Sequence, residues 1–310
     1  MRLLAGLLIT ALAATATATA YAAPPYNAPR NWLGQPDFDG TWSMNSMTRL
    51  ERPRNIPNLV LTPEQLKTPP AQILPSDSVG TYESDPTDSF QAGWAKLGDE
   101  YRSSWIIEPA DGRIPFSEAG IRLGAPRGSG SRDNPEARSN YERCLTTPLS
   151  GPPMINSAYN NNMQFVQTRD AIAINQEANH EVRIIRLNTN THGPNRQWFG
   201  DSIGHWEGAT LVVETTGFTP SQNERRASTT RLVMSPNAKV TERFTRISPT
   251  QIKYEFTVDD PDAFTQVWKG ELPLTVTTEP TFEYACHEGN YGLTNILAGA
   301  RYEEAQRTGK

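Results

Sequence analysis

Histidine and cysteine are scarce in this chain, with four of the one and two of the other among 310 residues. His180, His192, His205 and His287 lie far apart, and neither H-E-x-x-H nor C-x-x-C spacing occurs. Zinc ligation is therefore disfavoured, and no metal or cofactor is expected. Basic charge is not in excess either. The chain carries 29 Lys and Arg against 34 Asp and Glu, a net charge of −5. It has no basic patch of the kind that neutralises phosphates, so nucleic acid is not an expected partner. After the first residues no apolar run approaches the about 18 residues that span a bilayer, and no membrane span is expected in the mature chain. No internal repeat of fixed period is present.

The N-terminus reads as a secretory signal. Arg2 supplies the charged start, Leu3 to Ala14 the apolar run, and Ala20-Tyr21-Ala22 an A-x-A cleavage site, so residues 1–22 form a removable leader. The implied destination is an oxidising compartment, and a bacterial periplasm fits best. In that setting an even cysteine count favours a Cys144–Cys286 disulfide over two buried free thiols. A catalytic thiol has no Cys-His-Asn pattern to support it.

The composition suits a large β domain. Residues 23–103 read as an extended, Pro-rich N-terminal segment with a first strand and short helices. Residues 104–310 read as a β-barrel with a C-terminal helix, forming a single domain with 37–44. The first strand carries Gly40-Thr41-Trp42, a Gly-x-Trp signature that in lipocalin-like barrels enters the base, with the Trp closing its end. Six prolines between 51 and 80 forbid a central strand there. Thr62-Pro63-Glu64-Gln65 starts a short helix in capping-box style. Phe90, Trp94 and Leu97 at helical spacing predict a helix over 85–103. Ser104–Glu108 is β-forming, and Asp111-Gly112 predicts a hairpin into 113–116. Residues 124–133 read as a flexible loop, and Asn134-Pro135-Glu136 as the start of a helix to Cys144.

From 163 onward the pattern is a meander. Strands are expected at 163–168, 171–177, 181–187, 211–216, 240–247, 251–258 and 265–274, followed by an amphipathic helix over 293–306 packed on the outside. Sequential strands with short links favour an antiparallel up-and-down sheet, closed to remove its edges. The expected fold class is therefore mainly β: an antiparallel, lipocalin-like (calycin-type) barrel with a few flanking helices.

Several stretches together resemble a family of exported bacterial proteins for which no activity is established. They are Pro36–Trp42, Glu142-Arg143-Cys144-Leu145, Gly151-Pro152-Pro153-Met154, Tyr159-Asn160-Asn161-Asn162, the 200–218 stretch and Glu283–Tyr291. The family's usual form has Arg at the position of Ile203 and Asp at that of Ala209. By analogy, lipocalin-like barrels bind small apolar ligands and sometimes act on them.

The chemistry concentrates in 198–218, which reads as a hairpin turning near Glu207-Gly208 and gathers Trp198, Asp201, His205, Trp206 and Glu207. His205 and Glu207 share a strand face, since residues i and i+2 align. His287 and Glu288 follow Cys286 directly. A His beside a carboxylate suits general acid–base work; a structural role and zinc ligation are the competing readings. Gly200-Asp201-Ser202-Ile203-Gly204 matches G-x-S-x-G, yet a strand rather than a helix follows it, so the nucleophile-elbow context fails. Tyr159, Asn161 and Gln164 lie in a polar cluster able to hold a sugar or carbonyl. Asp259-Asp260-Pro261-Asp262 lacks the spacing of a known Ca²⁺ loop and reads as a solvated turn.

The functional expectation is a periplasmic barrel that binds a small, partly apolar molecule, as ligand or substrate. In its enzymatic version His205 and His287 act as acid and base, oriented by Glu207 and Glu288. Tyr159, Asn161, Gln164, Trp198, Asp201, Trp206, Tyr284 and Asn290 would contact the substrate. A non-catalytic carrier and a serine-type hydrolase using Ser202 are the alternatives.

Overall fold

A computed structural model describes residues 26–68, 93–123, 132, 134–147, 149, 151–157, 159–220, 225–227 and 230–309. The leader, Phe90 and nearly all of the 124–133 loop lie outside the described residues. The strands are β1 (Gly40–Ser43), β2 (Lys96–Leu97), β3 (Glu100–Tyr101), β4 (Ile106–Glu108), β5 (Asn162–Gln167), β6 (Ala171–Gln176) and β7 (Val182–Arg186). They continue with β8 (Asp201–Glu207), β9 (Thr210–Thr216), β10 (Arg225–Ala227), β11 (Thr230–Leu232), β12 (Lys239–Ser248), β13 (Gln251–Asp259) and β14 (Trp268–Val276). The helices are α1 (Glu118–Leu123) and α2 (Tyr291–Thr308).

Among the described residues nine strands close a barrel in the order β1-β5-β6-β7-β8-β9-β12-β13-β14, with β14 pairing back to β1. The lipocalin-like expectation is met: the fold is mainly β, a closed barrel with few helices. One detail differs from an up-and-down ring. β7 and β8 run parallel, with Ile185 opposite Ser202, while every other pair of the ring is antiparallel. A ring with an odd number of strands cannot close by antiparallel pairs alone. The 187–200 connection is long enough to return the chain for the parallel pair.

Strand alternation fills the inside. Met163, Phe165, Ile172, Ile174, Ile185, Leu211, Val213, Val240, Phe244, Ile252, Tyr254, Phe256, Trp268 and Leu272 belong to one buried cluster. Ring contacts run through it without a break from Trp206 to Phe38, Phe165, Phe244, Tyr254, Phe256 and Trp268, at centroid separations of 4.8–6.4 Å. Gly270 makes room for one of these rings, since a Cβ there would lie 2.2 Å from Phe256 Cζ. The interior is thus a packed core. Trp42 is buried as its signature requires. Its indole donates to Phe38 O at 2.9 Å, and the Arg246 guanidinium lies 5.4 Å from the ring centroid.

The barrel has two distinct ends. β5 and β7 start, and β6 finishes, at the Tyr159–Asn162 end. β8 runs parallel to β7, so it finishes at the opposite end, beside the β5–β6 turn. The β8–β9 hairpin is as read from the sequence: Glu207 pairs with Thr210, and Gly208 takes φ +63°, which a two-residue loop of this kind requires.

Several local expectations are corrected. Residues 93–103 form the β2–β3 hairpin instead of a helix, because Trp94 docks with Ile56 and Leu61 in a satellite cluster that fixes an extended path. Residues 113–116 do not pair with β4, which adds to β14 instead. Pro115 has no N–H to give a ladder, and its carbonyl serves Thr265 N at 2.8 Å. The helix expected from Asn134 to Cys144 is a single 3₁₀ turn, Pro135–Ala137, followed by turns. Ser139 and Glu142 bond each other there, and Cys144 holds φ +55°. The capping box does form: Thr62 N donates to Gln65 Oε1 at 2.8 Å and Gln65 N to Thr62 Oγ1 at 3.3 Å. The C-terminal helix is present, but only Ala300 on it is buried. Its ties run to residues 132–144 through the disulfide, Asn290 and an Arg132–Glu303 ion pair. No helix among the described residues is long and apolar enough to cross a membrane.

Candidate functional site

A cleft of about 380 Å³ opens at the Tyr159–Asn162 end of the barrel. β1 contributes Ser43, and Asn45 follows it. The loop entering β5 contributes Tyr159 to Asn162, Glu177 follows β6, and Phe282 comes from the segment before the disulfide. Each piece is placed by a local rule. Asn160 takes a left-handed φ of +55°, which Asn tolerates better than most residues. Asn161 closes its own loop, accepting from Ser157 N at 2.7 Å and donating to Ser157 O at 3.0 Å. Asn160 Nδ2 donates to Glu177 Oε1 at 3.0 Å. The second carboxylate oxygen of Glu177 has no hydrogen-bond partner, in a residue only 3 % exposed.

A chain of tyrosine hydroxyls borders this cleft. Tyr141 bonds Tyr159 on one side and Tyr284, at 3.0 Å, on the other. Burial, reinforced by those two bonds, pushes the Tyr141 phenol far above its ordinary range. Burial also raises Tyr284. Beneath them Cys144 and Cys286 form the expected disulfide, with Cα atoms 5.8 Å apart. Asn290 secures the same junction: it donates to Glu142 O at 2.8 Å and caps α2 by accepting from Leu293 N at 3.2 Å. His287 and Glu288 are exposed on this segment.

The hairpin that gathered most of the candidate chemistry lies elsewhere. His205 and Glu207 point outward, as alternation demands, because Gly204 and Trp206 face the interior. His205 Nε2 sits 3.3 Å from Glu207 Oε1, and Arg243 donates to Glu207 at 2.9 Å. The Arg243 bond, followed by that from His205, lowers the Glu207 carboxyl below its usual range. Since β8 finishes at the end opposite Tyr159, the structure does not bring His205 and His287 together, nor Glu207 and Glu288. Trp206 packs on Phe38 at 5.4 Å inside the barrel. Gln164 is exposed on the outer wall, and Trp198 is half-buried in the 187–200 connection. Of the residues expected to contact a substrate, Tyr159, Asn161, Tyr284 and Asn290 are gathered at one end. Gln164, Trp198, Asp201 and Trp206 are not.

Asp201 instead organises a cluster on the outer wall. It accepts from Gly193 N at 2.8 Å and Arg186 at 2.7 Å, and faces His192 Nδ1 at 3.1 Å. His192 Nε2 lies 3.2 Å from Glu214 Oε1, and Glu214 also pairs with Lys239. Burial raises the Asp201 carboxyl, but Gly193, His192 and Arg186 together hold it below its ordinary value. The bond from Lys239, with that from His192, lowers Glu214. His192 thus bridges the Asp201 and Glu214 carboxylates through its two ring nitrogens, and with the Gly193 N–H it ties the 187–200 connection to the wall.

Ser202 is sealed in the barrel. Its hydroxyl bonds Thr215 Oγ1 at 2.9 Å and accepts from Arg183 Nε at 3.0 Å. Ser202 is only 3 % exposed, and among the described residues its hydroxyl partners are Arg183 and Thr215, with no histidine in contact. In the Asp259–Asp262 turn, Asp260 accepts from Ser235, and Asp262 accepts from Ser235 and Asn237. Among the described residues no group of three or more His, Cys, Asp or Glu forms a metal site.

Sequence reasoning missed Glu177, Phe282 and Tyr141, and gave His192 no partner. Glu177 ends a strand like any solvated Glu, and nothing in its neighbours marks it as buried. Tyr141 was hidden in a segment read as helix. Comparison with protein-family models, curated proteins and solved structures found no match.

Proposed function

We propose that this is an exported, disulfide-stapled barrel that binds a small, partly apolar molecule in the cleft at the Tyr159–Asn162 end. The observation that carries the reading is the cleft itself. Its volume suits a small ligand, and it sets two aromatic rings, Tyr159 and Phe282, and several polar groups around one space beside a filled barrel. Binding without turnover is favoured over acid–base conversion, because no histidine lines the cleft and the two candidate histidines sit at opposite ends. Export to the periplasm is supported by the leader pattern at residues 1–22 and by a disulfide, which persists in oxidising compartments.

The test is to express the full chain with its own leader, purify it under native conditions, and weigh it intact and denatured by mass spectrometry. We expect an N-terminus near Ala23 and a copurifying small molecule. Tyr159→Ala and Phe282→Ala should lose that molecule, and His205→Ala should retain it. Loss of ligand in His205→Ala with retention in both cleft variants overturns the assignment.

A further inference from the structure

We infer that the ligand of this cleft carries a cationic nitrogen, with Glu177 as its counter-charge. The inference rests on the cleft being the binding site and names the class of molecule it takes. Glu177 is 97 % buried in the cleft wall, taking its 3 % exposure from full exposure. Asn160 satisfies one carboxylate oxygen; the other has no donor. Among the described residues no Lys, Arg or His pairs with it.

Among the described residues such a group is exceptional. The other buried carboxylates are compensated: Glu242 by Arg183 and Tyr254, Glu271 by Arg102 and Lys253, Asp201 by Arg186, and Asp260 by Ser235. A buried carboxylate left without a partner costs several kcal/mol, and a cation placed nearby recovers much of that. The rest of the wall is suited to an organic cation. Phe282 and Tyr159 present rings whose faces attract an ammonium group, while Asn162 and Ser43 supply neutral polar groups for the remainder. A bare metal ion needs several oxygen ligands at short range, whereas among the described residues the wall offers a single carboxylate, already engaged on one side.

The experiment compares two probes that differ in one group, phenethylamine and 2-phenylethanol, titrated calorimetrically into the purified full-length mature chain. The amine should bind about ten-fold tighter, the scale of a charge-assisted contact with a desolvated carboxylate. Glu177→Gln keeps the shape and the Asn160 bond; it should remove that preference while leaving the alcohol's affinity unchanged. If Glu177→Gln does not fold, the wild-type preference alone decides. Equal affinity for the two probes, or binding of neither, overturns the inference. So does binding of CaCl₂ alone that depends on Glu177. A copurifying ligand without a cationic nitrogen also overturns it and leaves the cleft assignment standing, whereas a ligand that survives Tyr159→Ala and Phe282→Ala removes the cleft assignment as well.

Discussion

Arg183 on β7 and Glu242 on β12 meet inside the barrel as a closed ion pair. Arg183 Nη1 donates to Glu242 Oε1 at 2.9 Å, and a second contact joins Nη2 to Oε2. Neither side chain reaches solvent appreciably: their exposures are 4 % and 0 %. The pair is completed by neighbours. Tyr254 donates to Glu242 at 2.7 Å, Thr215 accepts from Arg183 at 3.0 Å, and Met154 N donates to the Tyr254 hydroxyl at 2.9 Å. Every strong donor and acceptor around the charges is used, which is the condition for a buried pair to be tolerated.

Removing one partner should therefore be severe. Glu242→Ala leaves the guanidinium buried without a counter-charge, and we expect a loss of about 3–5 kcal/mol. Arg183→Met combined with Glu242→Leu should recover most of it. Urea unfolding of the three variants checks this, and a single-variant cost under about 1 kcal/mol contradicts it.

The disulfide closes a loop of 142 residues in sequence separation. The chain-entropy relation puts its contribution at about 5 kcal/mol. Cys144→Ser with Cys286→Ser should lower stability by several kcal/mol. It should also free the segment carrying Phe282, Tyr284 and α2, which has few other ties. Limited proteolysis should then cut between 277 and 290 before any barrel strand; cleavage starting in the barrel refutes this order.

The outer-wall clamp carries a pH dependence of definite sign. Asp201 and Glu214 both have folded-state carboxyls lowered from their ordinary values. Their stabilisation is present above the unfolded carboxylate range and is lost as pH falls through the lowered values. Stability should decline on acidification below about pH 4, the ordinary carboxylate range. Asp201→Asn should be less stable than wild type near neutrality and show a flatter acid limb. Because the partners Arg186, His192, Glu214 and Lys239 are partly exposed, each contact is expected to contribute no more than about 1 kcal/mol. Parallel acid limbs in wild type and Asp201→Asn rule out the clamp as a source of acid sensitivity.

His205 offers a contrasting case. It lies exposed at the far end from the cleft, so His205→Ala should leave stability within about 0.5 kcal/mol and ligand retention unchanged. Thermal melting and native mass spectrometry measure both. A loss of ligand without loss of fold restores the hairpin as a functional face.

Much of the architecture could be read along the chain because it depends on local pattern. Runs of β-forming residues between polar turns marked β5, β6, β9, β12 and β13; Gly208 marked the hairpin turn; Gly40-Thr41-Trp42 marked the strand that enters the barrel. The failures occurred where distant contacts override local preference. Trp94 and Leu97 have helical spacing, but the partners at Ile56 and Leu61 hold an extended hairpin. Pro135 starts a turn that a disulfide and Glu142 prevent from continuing as a helix.

The cleft could not be read in this way. Tyr159, Asn161 and Tyr284 stood out as polar or aromatic residues near likely turns, since turn chemistry is local. Glu177 did not, because burial of a carboxylate is a property of what packs over it. His205 and His287 looked like partners only while the distance between them was unknown.

The sequence by itself determined the strand periodicity, the hairpin at Glu207–Thr210 and a pair of cysteines able to bridge, because each follows from side-chain alternation, turn stereochemistry or composition. Only the tertiary structure decided that nine strands close with one parallel pair, that Arg183, Ser202 and Glu242 belong to the core, and that the hairpin and the disulfide segment occupy opposite ends. Strand direction around a closed ring sets those distances, and it depends on every pairing at once.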